Sequence, residues 1–125
     1  MNSILKGRRL LLVEDEYLIA AEQAQTLEEL GIEVVGPVAT VKEALAVAED
    51  DSFRLDGAVL DINLHEGRVF PVADALRMRG VPFIFTTGYD TSAIPDAYAK
   101  FPCLQKPVDK NLVSRWLLDG LRAGA

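Results

Sequence analysis

Cysteine is nearly missing from this chain. Cys103 is the only one, so no internal disulfide can form, which suits a reducing compartment. No apolar run approaches the roughly 20 residues that a bilayer-spanning helix needs. The stretch from Met1 to Arg9 lacks the apolar segment of a secretory signal, and a cytoplasmic protein is expected. Basic charge is also in short supply: 13 Lys and Arg stand against 19 Asp and Glu in 125 residues, a formal net charge of −6. Affinity for nucleic acid comes mostly from Lys and Arg neutralising phosphates, so nucleic acid is not an expected partner, and neither is an anionic membrane. Lys6, Arg8 and Arg9 form the only tight basic group and read as a solvated N-terminal tail. There is no Gly-rich phosphate loop and no Gly-x-Ser-x-Gly elbow. His65, the single histidine, cannot fill a zinc site with Cys103 alone, and it reads as a solvated loop residue. Cys103 lies in an apolar strand and reads as an inert thiol. No repeat, low-complexity tract or Gly/Ser linker divides the chain, so residues 1–125 are expected to form one domain.

What the chain does have is a regular alternation of short apolar runs and amphipathic stretches. Leu10 to Val13 predicts a strand. Glu16 to Leu30 follows as a helix, with Tyr17, Ala20, Ala24, Leu27 and Leu30 on its apolar face and Gly31 placed to end it. Ile32 to Val38 predicts a second strand. Thr40 followed by Glu43 is a capping box opening a helix with Val41, Ala44, Leu45 and Ala48 on one side. Ala58 to Leu60 and Ile62 enclose a third strand ending at Asp61. Val69, Val72, Ala73 and Leu76 repeat helical spacing up to Gly80. Val81 to Thr87 predicts a fourth strand, Cys103 to Gln105 a short fifth, and Asp109 caps a last helix carrying Leu112, Val113, Trp116 and Leu117.

One helix in this series is weak. The segment from Asp90 to Phe101 holds Thr91, Ser92 and Pro95, and proline disfavours helix in the residue before it, here Ile94. Any helix there must start near Pro95 and last a turn or two. A loop, or a short and mobile helix, is expected.

Strands alternating with helices imply right-handed crossovers and a parallel sheet with helices on both faces. In such sheets ligands bind beyond the carboxyl ends of the strands. The residues to inspect are therefore Glu14, Asp15 and Glu16, then Asp61 and Asn63, then Thr87 and Gly88, then Lys106 and Pro107. Two carboxylates held about 4 Å apart repel by on the order of 4 kcal/mol at intermediate dielectric. Such a group needs a proton or a cation, and oxygen ligands favour a hard ion such as magnesium. Taken alone, Glu14 to Glu16 could simply begin a helix. Asp61 follows the apolar run Ala58-Val59-Leu60, and a carboxylate there can attack phosphorus to give an aspartyl phosphate. That reaction needs charge neutralised on three equatorial oxygens, which a metal, Lys106 and Thr87 could share.

Leu11-Leu12-Val13-Glu14-Asp15, Val59-Leu60-Asp61-Ile62-Asn63-Leu64, Thr87-Gly88 and Lys106-Pro107 together resemble the receiver domain of two-component response regulators. The resemblance runs from about Leu10 to Leu121. It implies a doubly wound, five-stranded parallel sheet of flavodoxin-like order 2-1-3-4-5 with helices on both faces and helix four short or irregular. It implies Asp61 as phospho-acceptor and Mg2+ as cofactor. Asp15 would bind the ion directly, Glu14 through water and Asn63 by its backbone carbonyl. Thr87 would bond the phosphoryl group, Lys106 would pair with it, and the Lys106–Pro107 bond would be cis.

Two departures matter. Ordinary receivers carry Tyr or Phe three residues before the lysine, whereas this chain has Cys103. The run Phe83-Ile84-Phe85-Thr86-Thr87-Gly88-Tyr89 instead resembles the "FAT GUY" receivers, which lack that aromatic, although Thr86 stands where alanine is more typical. The resemblance implies a mobile switch from Gly88 to Lys100, biased by Thr87, with Tyr89 either part of it or a packing residue. The expected partners are a sensor histidine kinase or phosphotransfer protein upstream and a regulatory protein downstream. The chain could also be one piece of a longer regulator or hybrid kinase. A pseudo-receiver that binds partners without phosphorylation is the rival reading. A free-standing phosphatase is a weaker one, because Asn63 stands where that chemistry wants a second Asp.

Overall fold

The computed structural model describes residues 5–88 and 94–123, with nothing drawn from the side chains of 120–123. Five strands pair in parallel: β1 (Arg9–Val13), β2 (Glu33–Val38), β3 (Gly57–Asp61), β6 (Phe83–Thr87) and β7 (Cys103–Gln105). Between β3 and β6 the two short strands β4 (Asn63–Leu64) and β5 (Gly67–Arg68) form a separate antiparallel hairpin. Without the hairpin, the sheet order β2-β1-β3-β6-β7 is the expected 2-1-3-4-5. The three central strands, β1, β3 and β6, are apolar along most of their length because both faces are covered.

Alternation along those strands sorts the core into two layers. Leu11, Val13, Ala58, Leu60, Phe83 and Phe85 face Ala44 and Ala48 of α2 (Val41–Ala48) and Val72, Ala73 and Leu76 of α3 (Phe70–Met78). Leu10, Leu12, Val59 and Ile84 face Leu27 of α1 (Tyr17–Glu29) and Val113 and Leu117 of α4 (Lys110–Ala123). Helices therefore lie on both faces. No helix among the described residues is long and apolar enough to cross a membrane.

Local chemistry sets the ends of these elements. Thr40 Oγ1 accepts from the Glu43 N–H at 3.1 Å and donates to the Glu43 carboxylate, closing the predicted capping box. Asp109 accepts from the Asn111 N–H at 2.7 Å and starts α4. Gly31 follows α1 at φ +86°, a conformation that glycine adopts without strain. In β2, Gly36 at φ +107° marks the point where the β1–β2 register shifts, and a Cβ there would meet the Val38 nitrogen at 2.7 Å. Past that shift the Glu14 N–H donates to the Val38 carbonyl at 3.0 Å, so the ladder fixes the chain just as it enters the acidic run.

Three expectations change. Tyr17, assigned to the apolar face of the first helix, is 84% exposed, because α1 begins at Tyr17 and its first turn lies beyond the sheet. The basic group is no tail: Arg9 opens β1, pairs with Glu33 at 2.9 Å and lies over the Phe53 ring at 4.0 Å. The hairpin of β4 and β5 is an addition to the expected elements. The proline argument holds for the residues described between 94 and 101. There a single turn of 3₁₀ helix, Asp96–Tyr98, starts directly after Pro95. Residues 89–93, including Tyr89, lie outside the described residues.

Candidate functional site

The site forms where β1, β3, β6 and β7 end. Asp61 is the last residue of β3, and the Ile62 N–H after it donates to the Thr86 carbonyl at 3.0 Å, which holds this end against β6. Burial leaves Asp61 only 3% exposed and Glu14 2% exposed. Glu14, Asp15 and Asp61 each offer a carboxylate oxygen within 4.8 Å of the others'. Lys106 closes the group from β7. Its Nζ lies 2.7 Å from Glu14 Oε1 and 3.3 Å from Asp61 Oδ2. The Lys106 N–H donates to the Thr87 carbonyl at 2.9 Å, so the same contact fixes the lysine backbone to the end of β6. The Lys106–Pro107 bond is cis, as the resemblance implies.

The charges decide the protonation. Burial and the neighbouring Glu14 carboxylate push the Asp61 carboxyl up to about 7, although the Lys106 ammonium pulls the other way. Burial disfavours the Lys106 ammonium, but hydrogen bonds and charge from Glu14 and Asp61 outweigh it and hold its pKa above the ordinary lysine value. The chain thus stacks three carboxylates against one ammonium in a poorly hydrated place, and a divalent ion would relieve that imbalance. Donors that are all oxygen fit a hard ion such as magnesium.

A cavity of about 340 Å³ opens onto this group and is lined by Asp15, Asp61, Asn63, His65, Gly88 and Lys106 among others. Asn63 is exposed on β4 at its rim. Thr87 ends β6 and is buried, while Gly88 after it lines the cavity. Glu16, the third acid of the run, caps α1 without a side-chain bond and stays out of the cluster; its N–H donates to Glu14 Oε2 at 3.2 Å. Cys103 is a free, half-buried thiol whose pKa burial pushes up, in keeping with an inert role.

His65 was missed. It sits at the tip of the β4–β5 hairpin, its N–H donates to Asp15 Oδ2 at 2.6 Å, and its ring Nδ1 touches the same oxygen. Nothing in the spacing could have shown this contact, because the two residues are 50 positions apart and meet only through a two-residue hairpin turn.

No family model matches the chain. The regulator PhyR of Methylorubrum extorquens AM1 is 37% identical over 83 residues, 64% of this chain and 30% of PhyR, so the chain spans under a third of that curated relative. The solution structure of SdrG from Sphingomonas melonis Fr1 shares 40% identity, with a TM-score of 0.78 over 92% of this chain and 97% of SdrG. The receiver domain of the sensor histidine kinase PA1611 from Pseudomonas aeruginosa, solved with magnesium in its active-site cleft, shares 25% identity. Its TM-score is 0.73 over 89% of this chain and 94% of that one. With the strand order, the acidic cluster at the sheet edge and this likeness over nearly its whole length, the chain belongs to the receiver domains of two-component response regulators.

Proposed function

We propose that this receiver accepts a phosphoryl group on Asp61 from the phosphohistidine of a sensor histidine kinase or phosphotransfer protein. The observation that carries this reading is the placement of Lys106 Nζ against both Asp61 and Glu14, 3.3 and 2.7 Å away, at the mouth of a cavity. Asp61 would attack phosphorus with one carboxylate oxygen. An O–P bond forms as the donor's N–P bond breaks, and the imidazole leaves with the electron pair. The Lys106 ammonium would turn from the carboxylates to the phosphoryl oxygens, and the Thr87 hydroxyl would donate to another. Magnesium, when bound, supplies positive charge to the remaining phosphoryl oxygen. Asp15, Asp61 and the Asn63 carbonyl would hold it directly. Glu14, buried and paired with Lys106, would reach it through water. The magnesium in the PA1611 receiver supports the same ion here.

The output would pass by protein contact to a downstream regulatory protein in the cytoplasm. The run Phe83 to Tyr89 and the aromatic missing at Cys103 favour the FAT GUY-like group. In that reading the switch is the segment 88–100, part of which (89–93) lies outside the described residues. Incubation with acetyl phosphate and Mg2+ tests the central claim. The intact mass should rise by about 80 Da, the size of the added phosphoryl group, and Asp61→Asn should abolish the rise. No gain in the wild-type protein would favour a phosphorylation-independent pseudo-receiver instead.

A further inference from the structure

One side chain at the site has no part in the scheme above. His65 stands over Asp15 from the solvent side, with its ring 81% exposed. Among the described residues Asp15 is its sole hydrogen-bond and ion-pair partner. A ring so exposed would ordinarily sample many rotamers. Here the backbone does the aiming. The hairpin pairs Asn63 with Arg68 and Leu64 with Gly67, and Leu64 is buried beneath it. The His65 N–H is bonded to the same Asp15 oxygen that its ring meets. The hairpin therefore delivers an imidazole nitrogen to the outer carboxylate of the acidic group.

We infer that His65 is a further donor to the divalent ion of this site and shifts its preference from magnesium towards later transition-metal ions such as Co2+ and Ni2+. This rests on the reading of Glu14, Asp15 and Asp61 as a cation site. Two donors to one small divalent ion, each about 2.1 Å from it, lie as close neighbours at roughly 3 Å. An imidazole nitrogen against a ligating carboxylate oxygen meets that requirement with a small rotation of the ring. The chemistry then follows from donor type. Magnesium prefers oxygen and holds its waters, so a nitrogen donor gives it little. Imidazole suits the later divalent ions, whose affinity for nitrogen-bearing sites rises along the first transition row.

Calorimetric titration of the full chain with Mg2+, Co2+ and Ni2+, for the wild type, His65→Ala and His65→Gln, tests this. Both variants should weaken Co2+ and Ni2+ binding by about tenfold or more while changing Mg2+ by less than about threefold. The visible bands of bound Co2+ should shift in both variants, as expected when a nitrogen donor is replaced by oxygen. Equal changes for all three ions, or an unshifted Co2+ spectrum, would overturn the inference. Tighter binding of every ion in the variants would also overturn it, since His65 would then be a competitor for Asp15 and not a donor. If the wild type binds none of the three ions, the cation site itself falls and the role of His65 with it. If Mg2+ binds and the ratio is unmoved, only the role of His65 falls.

Discussion

Asp61 is a carboxyl that the fold makes reluctant to ionise. Its position at the end of an apolar strand removes water, and Glu14 adds like charge, so its pKa sits at about 7. In the unfolded chain the same group ionises near its ordinary value of about 4. Between those values the folded state keeps a proton that the unfolded state has lost. Asp61 therefore stabilises the fold fully only below about pH 4, and that contribution drains away as pH climbs to about 7. Asparagine has the same shape and no proton to lose, and it leaves the 2.7 Å pair between Lys106 and Glu14 in place. In magnesium-free buffer, Asp61→Asn should unfold at a higher urea concentration than the wild type at pH 8, with the gap closing towards pH 5. A wild type that gains stability relative to the variant as pH rises would show that Asp61 is held ionised instead. Thr86 illustrates a different kind of residue. Its hydroxyl is fully buried and has no hydrogen-bond partner among the described residues.

Among the elements, the stretch around the 3₁₀ turn, kept short by Pro95, is held in place by aromatic rings. The Tyr98 ring stacks on Phe70 of α3 with centroids 4.4 Å apart, and its hydroxyl donates to Asp74 at 2.8 Å. Phe101 packs on Phe83 at 4.8 Å, and Phe85 lies edge-on to both Tyr98 and Phe101. The segment is thus fastened to α3 and to β6, the strand that ends at Thr87. A displacement of Thr87 has a direct route to it through the rings of its own strand. Beryllofluoride with Mg2+, as a phosphoryl mimic, should change amide exchange across 94–101 several-fold. Tyr98→Phe, which loses the bond to Asp74, should speed exchange there by about fivefold in the free protein, the worth of roughly 1 kcal/mol. Exchange unmoved by both would remove this segment from the signalling route. The major strands and helices were legible because short apolar runs alternate with amphipathic stretches, some opened by caps such as Thr40 and Asp109. The β4–β5 hairpin was not, because two residues a side give no period to read. Tyr17 misled because helical spacing says which residues share a face but not where the sheet beneath that face ends.

At the scale of the whole molecule, strand order came from the family resemblance and not from periodicity, since the three central strands are alike in their apolar runs and pairing is a choice among strands far apart in the chain. The same holds for the site: Asp15, Asp61 and Lys106 were recognisable as a set, whereas the contact of His65 with Asp15 depends on three-dimensional closure alone. That closure has a thermodynamic consequence. The carboxylates of Glu14, Asp15 and Asp61 are assembled only in the folded state, so an ion bound among them would stabilise folding, by about 1.4 kcal/mol when its concentration is ten times its Kd. A net charge of −6 complicates the measurement, because any salt will relieve general repulsion. The comparison should therefore be Mg2+ against NaCl of equal ionic strength. At pH 7.5 Mg2+ should raise the melting temperature of the wild type by several degrees beyond NaCl. The excess should shrink at pH 5.5, where Asp61 keeps its proton and competes with the ion. It should vanish in Asp15→Asn. An excess of the same size in that variant would reduce the magnesium effect to screening and leave the three carboxylates without a shared cation.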